Sequence, residues 1–228
     1  MRKFRKAFSL VELIIVIVVI GILATMTTQR LKRDNKNEAM TKLLTMIRYT
    51  RSLALHDDKQ LRDNPKWQRR FWRFEVKNCA TSGIGVIYSI GSNEEMSNLG
   101  HISFDDSAVD PSNGKFLYSS CLPAILTDQR VSPNVFLSKK FGIKDLNFNT
   151  CRIFKTNNNN HSSAKHIAFD KFGRIYKSNL TSNTPDYSGY ALSDCKITVS
   201  FQNNNISPFH IIINKETGFA YIQEYPNL

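Results

Sequence analysis

The chain has 228 residues and a formal charge of +12, long enough for one sizeable domain plus an appendage. Composition is that of an ordinary globular protein with abundant Asn, and the charge is unevenly placed. Arg2, Lys3, Arg5 and Lys6 precede residue 8 with no acid among them; residues 27–74 hold thirteen basic and five acidic groups, residues 75–228 fourteen and thirteen. This excludes a uniformly basic protein. It reads as a solvated basic face beside a membrane, with nucleic acid or anionic lipid as the other partners such a surface would suit.

Met1–Ala7 is a short basic leader without an apolar core. Phe8–Met26 follows, nineteen residues whose only charge is Glu12. As a helix it is roughly 28 Å long, enough to cross a hydrocarbon core. Four cations ahead of it should keep the N-terminus in the cytoplasm and send the rest outward. A secretory cut within Leu23-Ala24-Thr25-Met26-Thr27-Thr28, as after Ala24, satisfies size rules alone, so the choice of signal rests on Glu12.

Residues 27–66 form an amphipathic helix and connector. Met40, Leu43, Leu44, Ile47, Ala54 and Leu55 share one face at helical spacing, and neither Pro nor Gly intervenes before Pro65. One continuous helix is expected from about Phe8 to His56, its second half packed on the domain that follows. Asp57–Lys66 is a polar connector.

Residues 67–228 read as a β-rich head. Arg70–Val76 alternates Phe71, Arg73, Glu75 with Trp72, Phe74, Val76. Val86–Ile90, Ile102–Phe104, Phe116–Tyr118, Val135–Leu137, Leu146–Phe148, Ile197–Phe201 and Ile211–Ile213 are further short strand-type runs. His166–Tyr176 and His210–Tyr221 each read as a hairpin, with Asp or Asn opening the turn and Gly supplying positive φ. Asn157–Asn160 and Ser178–Gly189 read as exposed loops. The fold class is α+β, a long helix packed on an antiparallel sheet.

Cys79, Cys121, Cys151 and Cys195 lie beyond the apolar segment, and no pair has zinc-knuckle or CxxC spacing. In an exported head they read as two disulfides with three connectivities open, pairing of sequence neighbours being slightly preferred; free core thiols are the other reading.

The string that carries most information is Lys6-Ala7-Phe8-Ser9-Leu10-Val11-Glu12-Leu13. A carboxylate inside an apolar membrane helix costs about 2.5–3.5 kcal/mol on insertion scales and calls for a cationic partner. If the chain is cut between Ala7 and Phe8, the new α-amine of Phe8 is such a cation, within one helix or from a neighbour. Lateral assembly then relieves the buried charge; the bland alternative is a Glu snorkelling at the interface of a simple anchor.

At these residues the chain resembles the class III signal of type IV prepilins and type II secretion pseudopilins: a basic leader, Ser9-Leu10, Glu12 at the fifth mature position, then a Val/Ile-rich run containing Gly21. The resemblance implies cleavage before Phe8 by a prepilin peptidase, N-methylation of Phe8, and Glu12 as the assembly glutamate. Ala7 stands where the family usually has Gly, and Thr27–Arg30 lacks the Pro common beyond the apolar run. Implied partners are other pilins in a helical filament, an inner-membrane assembly platform and the lipid bilayer. The implied location is the bacterial inner membrane, spanned once with the head in the periplasm, and then the pilus or pseudopilus. Ile47–Leu55, Phe172-Gly173-Arg174-Ile175 and Thr217-Gly218-Phe219 are similar to stretches of the H-type pseudopilin and FimT-like minor pilins.

Other chemistries have weaker signals. No GxSxG, HExxH, P-loop or GxGxxG string is present, five His residues are dispersed, and neither an enzyme nor a cofactor is expected. Asp105-Asp106 and Asp110–Gly114 offer oxygens to calcium but read better as a turn, so no metal is expected. Lys66, Arg69, Arg70 and Arg73 interleave with Trp67, Phe71 and Trp72, a mixture that suits DNA and would serve uptake. The same alternation describes a strand with one face in the core.

Overall fold

In the computed structural model, residues 10–59, 63–96, 102–148, 150–151, 165–177, 180 and 182–223 are described, with the side chains of 24–34 excepted. The leader, Phe8 and the 157–160 loop lie outside the described residues. The architecture is α+β, as expected: an N-terminal helix followed by antiparallel β-sheets, consistent with a pilin-like fold.

Helix α1 runs unbroken through Leu10–His56, 47 residues or about 70 Å. Nothing in it interrupts a helix, because Gly21 is its only Gly and it has no Pro. It stops where Asp57 turns to bind Trp72 Nε1 at 3.0 Å. Ala39, Met40, Leu43, Met46, Ile47, Thr50 and Ala54 are buried, at spacings that wind one stripe along the second half of the helix. Each large side chain buried there contributes about 1.5–3 kcal/mol.

Two four-stranded sheets receive that stripe. The first has the order β2-β1-β4-β5, from β1 (Trp72–Cys79), β2 (Gly85–Gly91), β4 (Lys165–Phe169) and β5 (Ile175–Tyr176). The second has the order β3-β6-β7-β8, from β3 (Ile143–Asn147), β6 (Cys195–Phe201), β7 (Phe209–Ile213) and β8 (Ala220–Gln223). All pairings are antiparallel, and β3 carries an irregularity between Ile143 and Asp145. Helix α1 packs on β1, β4 and β8, and so on both sheets; the short helix α2 (Leu137–Phe141) packs on β2 and β3. One core contains residues of both helices and both sheets.

The two expected hairpins form as β4–β5 and β7–β8, with Gly173 at φ +80° and Gly218 at φ +64°. Their turns abut: a Cβ on Gly218 would overlap the Gly173 carbonyl. Arg51 Nε donates to Thr217 O at 2.5 Å, and Arg48 Nε to Ala220 O at 2.9 Å. Helix α1 thus staples the turn where the two sheets meet.

Three strand expectations fail. Val135–Leu137 is helical, a 3-10 turn at Pro133–Val135 followed by α2. The Ser132 side chain accepts from Asn134 N and Pro133 starts the turn, so this is cap chemistry, and Gly142 closes α2 at φ +67°. Ile102–Phe104 and Phe116–Tyr118 make no ladder; Phe116 forms only isolated bridges to Val109 and Val131. There, ring packing of Phe104 on Phe116 (4.5 Å) and Tyr118 (5.4 Å) replaces strand pairing. Arg70–Val76 begins as a 3-10 turn, Trp67–Arg70, and becomes a strand only at Trp72. Within the Ser178–Gly189 loop, Tyr187–Gly189 forms a 3-10 turn capped by Asp186.

Cys79 is bonded to Cys121 and Cys151 to Cys195, with Cα–Cα distances of 5.3 and 5.0 Å. The first bridge ties the end of β1 to the long excursion after β2, across 42 residues of sequence. Chain-entropy arguments put such a closure at about 4 kcal/mol. Replacing Cys79 and Cys121 together by Ser should lower unfolding free energy by ~2–5 kcal/mol in urea denaturation, and excess dithiothreitol should then cost that variant less than it costs the parent.

Candidate functional site: the N-terminal segment and the polar clusters of the head

Glu12 lies in the first turn of α1, where the amide dipoles favour a carboxylate. Around it the helix is bare. Leu10, Val11 and Leu13 are 75, 63 and 57% exposed, and every large apolar residue from Ile14 to Leu23 is also exposed. Ala7 and Phe8 lie outside the described residues, so the distance from the cleavage point to Glu12 is not part of the geometry. Described side chains in this stretch end at Leu23, and among the described residues no helix is long and apolar enough to cross a membrane. What the geometry supplies is an exposed apolar stretch, Leu10–Leu23, in the same unbroken helix as a later stretch that buries one stripe against the head. A surface of that kind is an interaction surface.

The basic-aromatic run folds inward at Arg69 and Arg73, so of the two readings of this run the core strand describes it better than a surface patch for nucleic acid. Arg69 is 1% exposed: Nε donates to Ser182 O (3.0 Å), Nη1 to Met96 O (2.8 Å) and Nη2 to Asn183 Oδ1 (2.9 Å). Burial pushes its guanidinium pKa down. Arg73 is fully buried in β1, its Nε 3.6 Å from Glu75 Oε2. Arg70 donates through Nε to Glu94 Oε2 at 3.2 Å, and Lys66 is half-buried. Trp67 and Phe71 are buried in a small aromatic cluster with Tyr176. A period-two pattern implies one wet face, yet both faces of β1 from Arg73 to Val76 are buried. On the polar face opposite charges lie close together: Glu75 Oε1 also meets Lys77 Nζ at 3.0 Å.

The segment considered for calcium holds a closed polar hub. Asp110, completely buried, accepts from Ser112 N (3.0 Å) and Ser112 Oγ (2.7 Å) on Oδ1, and from Ser132 Oγ and Asn134 Nδ2 (both 2.7 Å) on Oδ2. Lys42 Nζ of α1 stands 3.4 Å from Oδ2. Burial alone would raise this carboxyl's pKa, but the donors outweigh it and hold it below the usual carboxylate range. Asp106 instead accepts from Ser103 Oγ at 2.7 Å, so these aspartates do not converge. Sequence reasoning missed the hub and the Arg48–Arg51 staple. The only local signal for the hub was the Asx/Ser turn chemistry at Asp110–Gly114, and for the staple the three-residue spacing of the two arginines.

Residues 2–28 match the family model of the prokaryotic N-terminal methylation motif. The match covers the leader, Ala7–Phe8, Glu12 and the apolar run, and it supports a type IV pilin-like chain with a membrane-anchored N-terminus, processed by a prepilin peptidase. No curated protein and no solved structure matches the chain.

The ion pairs of the head carry a pH signature. Burial raises the Glu75 pKa, but Lys77 and Arg73 outweigh it and bring it down from 4.5 to about 2. Glu94 is likewise brought to about 2 by Lys59, Arg70 and Ser92 against the effect of burial. Folding depresses both, so their stabilisation is complete above about pH 4.5 and is lost as pH falls to about 2. Urea midpoints measured across that range should fall with pH, and Glu94→Gln should be less stable at pH 7 with a shallower decline.

Proposed function

We propose that the chain is a minor pilin or pseudopilin, assembled into a type II secretion pseudopilus or a type IV pilus for protein secretion or filament biogenesis. A prepilin peptidase cuts between Ala7 and Phe8 and the Phe8 amine is methylated. The apolar half of α1 holds the precursor in the inner membrane with the head in the periplasm. In the filament the same half packs against its copies in neighbouring subunits, and Glu12 receives a Phe8 amine. The observation that carries this reading is the exposed apolar stretch Leu10–Leu23, in one unbroken helix with a stretch whose buried stripe packs on the head. Glu12 inside that stretch separates the assembly reading from a simple membrane anchor, which has no use for a carboxylate there.

The H-type pseudopilin or FimT-like subgroup belongs to the same proposal. The three stretches resembling that group, Ile47–Leu55, Phe172–Ile175 and Thr217–Phe219, come together where Arg51 reaches Thr217 O beside Gly173. The DNA-uptake reading loses two of its four basic groups, since Arg69 and Arg73 are buried.

Intact mass and N-terminal sequencing of the membrane-purified protein, from cells with a prepilin peptidase, should show a chain starting at Phe8 and heavier by one methyl group. A Met1 start, or a cut after Ala24, would overturn the filament reading. Glu12→Ala should insert in the membrane normally and drop out of sheared filaments; full incorporation of that variant would refute the pairing with Phe8.

A further inference from the structure

The head has two poles along α1, and they differ in chemistry. At the far pole Trp72 binds Asp57 just past the end of α1, so β1 starts there and returns along the helix. Its eight residues cover roughly 26 Å, ending at Cys79 near the start of the buried part of α1. That near pole is built from the β1–β2 turn, the Leu122–Leu126 stretch tethered by the Cys79–Cys121 bridge, α2, and the β6–β7 loop. Ser138 Oγ accepts from Val86 N at 2.7 Å, Gln202 N donates to Gly142 O at 2.7 Å, and Gly85 has no room for a Cβ against Ser138. Two ties join this pole to α1: Lys36 Nζ to Ser207 Oγ at 3.1 Å, and Lys140 Nζ to Glu38 Oε1 at 3.3 Å.

The four segments bring no acid of their own to this surface; the acids that border it are Glu38 of α1, paired with Lys140, Asp145 next to Lys144, and Asp105 and Asp128 in the cleft that Leu122 lines. Segments 79–86, 121–126, 133–144 and 202–208 contain no Asp or Glu, while the third supplies Lys139, Lys140 and Lys144. Lys139 and Lys144 are exposed, and neither has an ion pair among the described residues. Beside them Leu122 and Leu126 are 61 and 42% exposed. A cleft of about 250 Å³ lined by Leu126, Pro133, Phe136, Lys139 and Lys140 lies next to a second, of about 490 Å³, that shares Leu126 and Lys139. Single exposed leucines need no explanation. Two of them on segments that carry three lysines and no acid have the make-up of an interfacial surface, apolar tips below ammonium groups.

Distance favours a membrane as the occupant. Lys36 is ten residues beyond Met26, so about 15 Å up the helix. The headgroup layer takes up roughly 5–8 Å of that. A helix tilt of about 20° lowers one side of the pole further, and the remaining gap is comparable with a Debye length of about 8–10 Å. We propose that this pole docks on the anionic headgroups of the membrane that holds α1, with Lys139, Lys140 and Lys144 facing phosphates and Leu122 and Leu126 entering the interface. The proposal rests on the membrane-anchored reading above. Docking orients the waiting subunit, and extraction into a filament breaks it.

The test uses the full chain in nanodiscs of phosphatidylcholine alone or with about 30% phosphatidylglycerol, read by amide hydrogen exchange. Each lysine near an anionic surface is worth about a fivefold shift in the docking equilibrium. Exchange over 122–126 and 137–144 should slow in the anionic discs relative to the neutral ones, return at high salt, and lose about fivefold of the slowing in Lys139→Gln. Leu122→Ser, an exposed side chain outside the core, should weaken docking without changing exchange in β1 or β6. Chain that enters both kinds of disc but exchanges identically at the pole in each would overturn the docking while leaving the anchor intact. Chain that enters neither would overturn the anchor and the docking together.

Discussion

A single helix in which nothing interrupts the hydrogen-bond ladder from Leu10 to His56 has to meet two environments at once. Its second half buries a stripe of Leu, Ile, Met and Ala under two sheets, and that packing fixes the helix direction relative to the head. Its opening stretch, Leu10–Leu23, is apolar apart from Glu12, and its large side chains are exposed. Because the helix is continuous, whatever covers the first half, lipid or other helices, also sets the orientation of the head. The bare half cannot be buried by folding further, since the head already packs on the only amphipathic stretch available.

Within the head, interior charge is handled by local pairing. Arg73, Glu75 and Lys77 neutralise one another along one face of β1, Asp110 draws on three side-chain donors and Lys42, and Arg69 meets carbonyls of loops brought over it. Each group would be costly buried alone. Together they make a covered second face for the first sheet, which lets that sheet be flanked on both sides although its strand sequence alternates polar and apolar. Lys42, Arg69 and Arg73 of the basic stretch 27–74 are used this way, and among the described residues the exposed lysines, Lys139, Lys140 and Lys144, gather at the pole of the head nearest the exposed apolar stretch of α1.

How far the fold could be read from the chain depended on the range of the interaction. The helix was legible because 3.6-residue periodicity and the lack of Gly and Pro are local. The two hairpins were legible for the same reason, through Asp170 with Gly173 and Asn214 with Gly218. Val135–Leu137 was misread because a Ser-Pro cap outweighs the strand preference of a Val-Phe-Leu run. Arg70–Arg73 was misread because alternation reports that two faces differ in polarity, not that the polar one is wet.

The sequence by itself determined the class III signal, the lone carboxylate at Glu12 in an apolar helix, the amphipathic continuation and the β-rich head, since each is written in consecutive residues and obeyed by local physics. The tertiary structure alone decided which cysteines meet, where Arg69 and Arg73 go, that Asp110 is shut inside a ring of donors, and which four segments share one lysine-bearing pole. Those outcomes depend on groups brought together across tens of residues, and no local pattern encodes the path by which the chain returns.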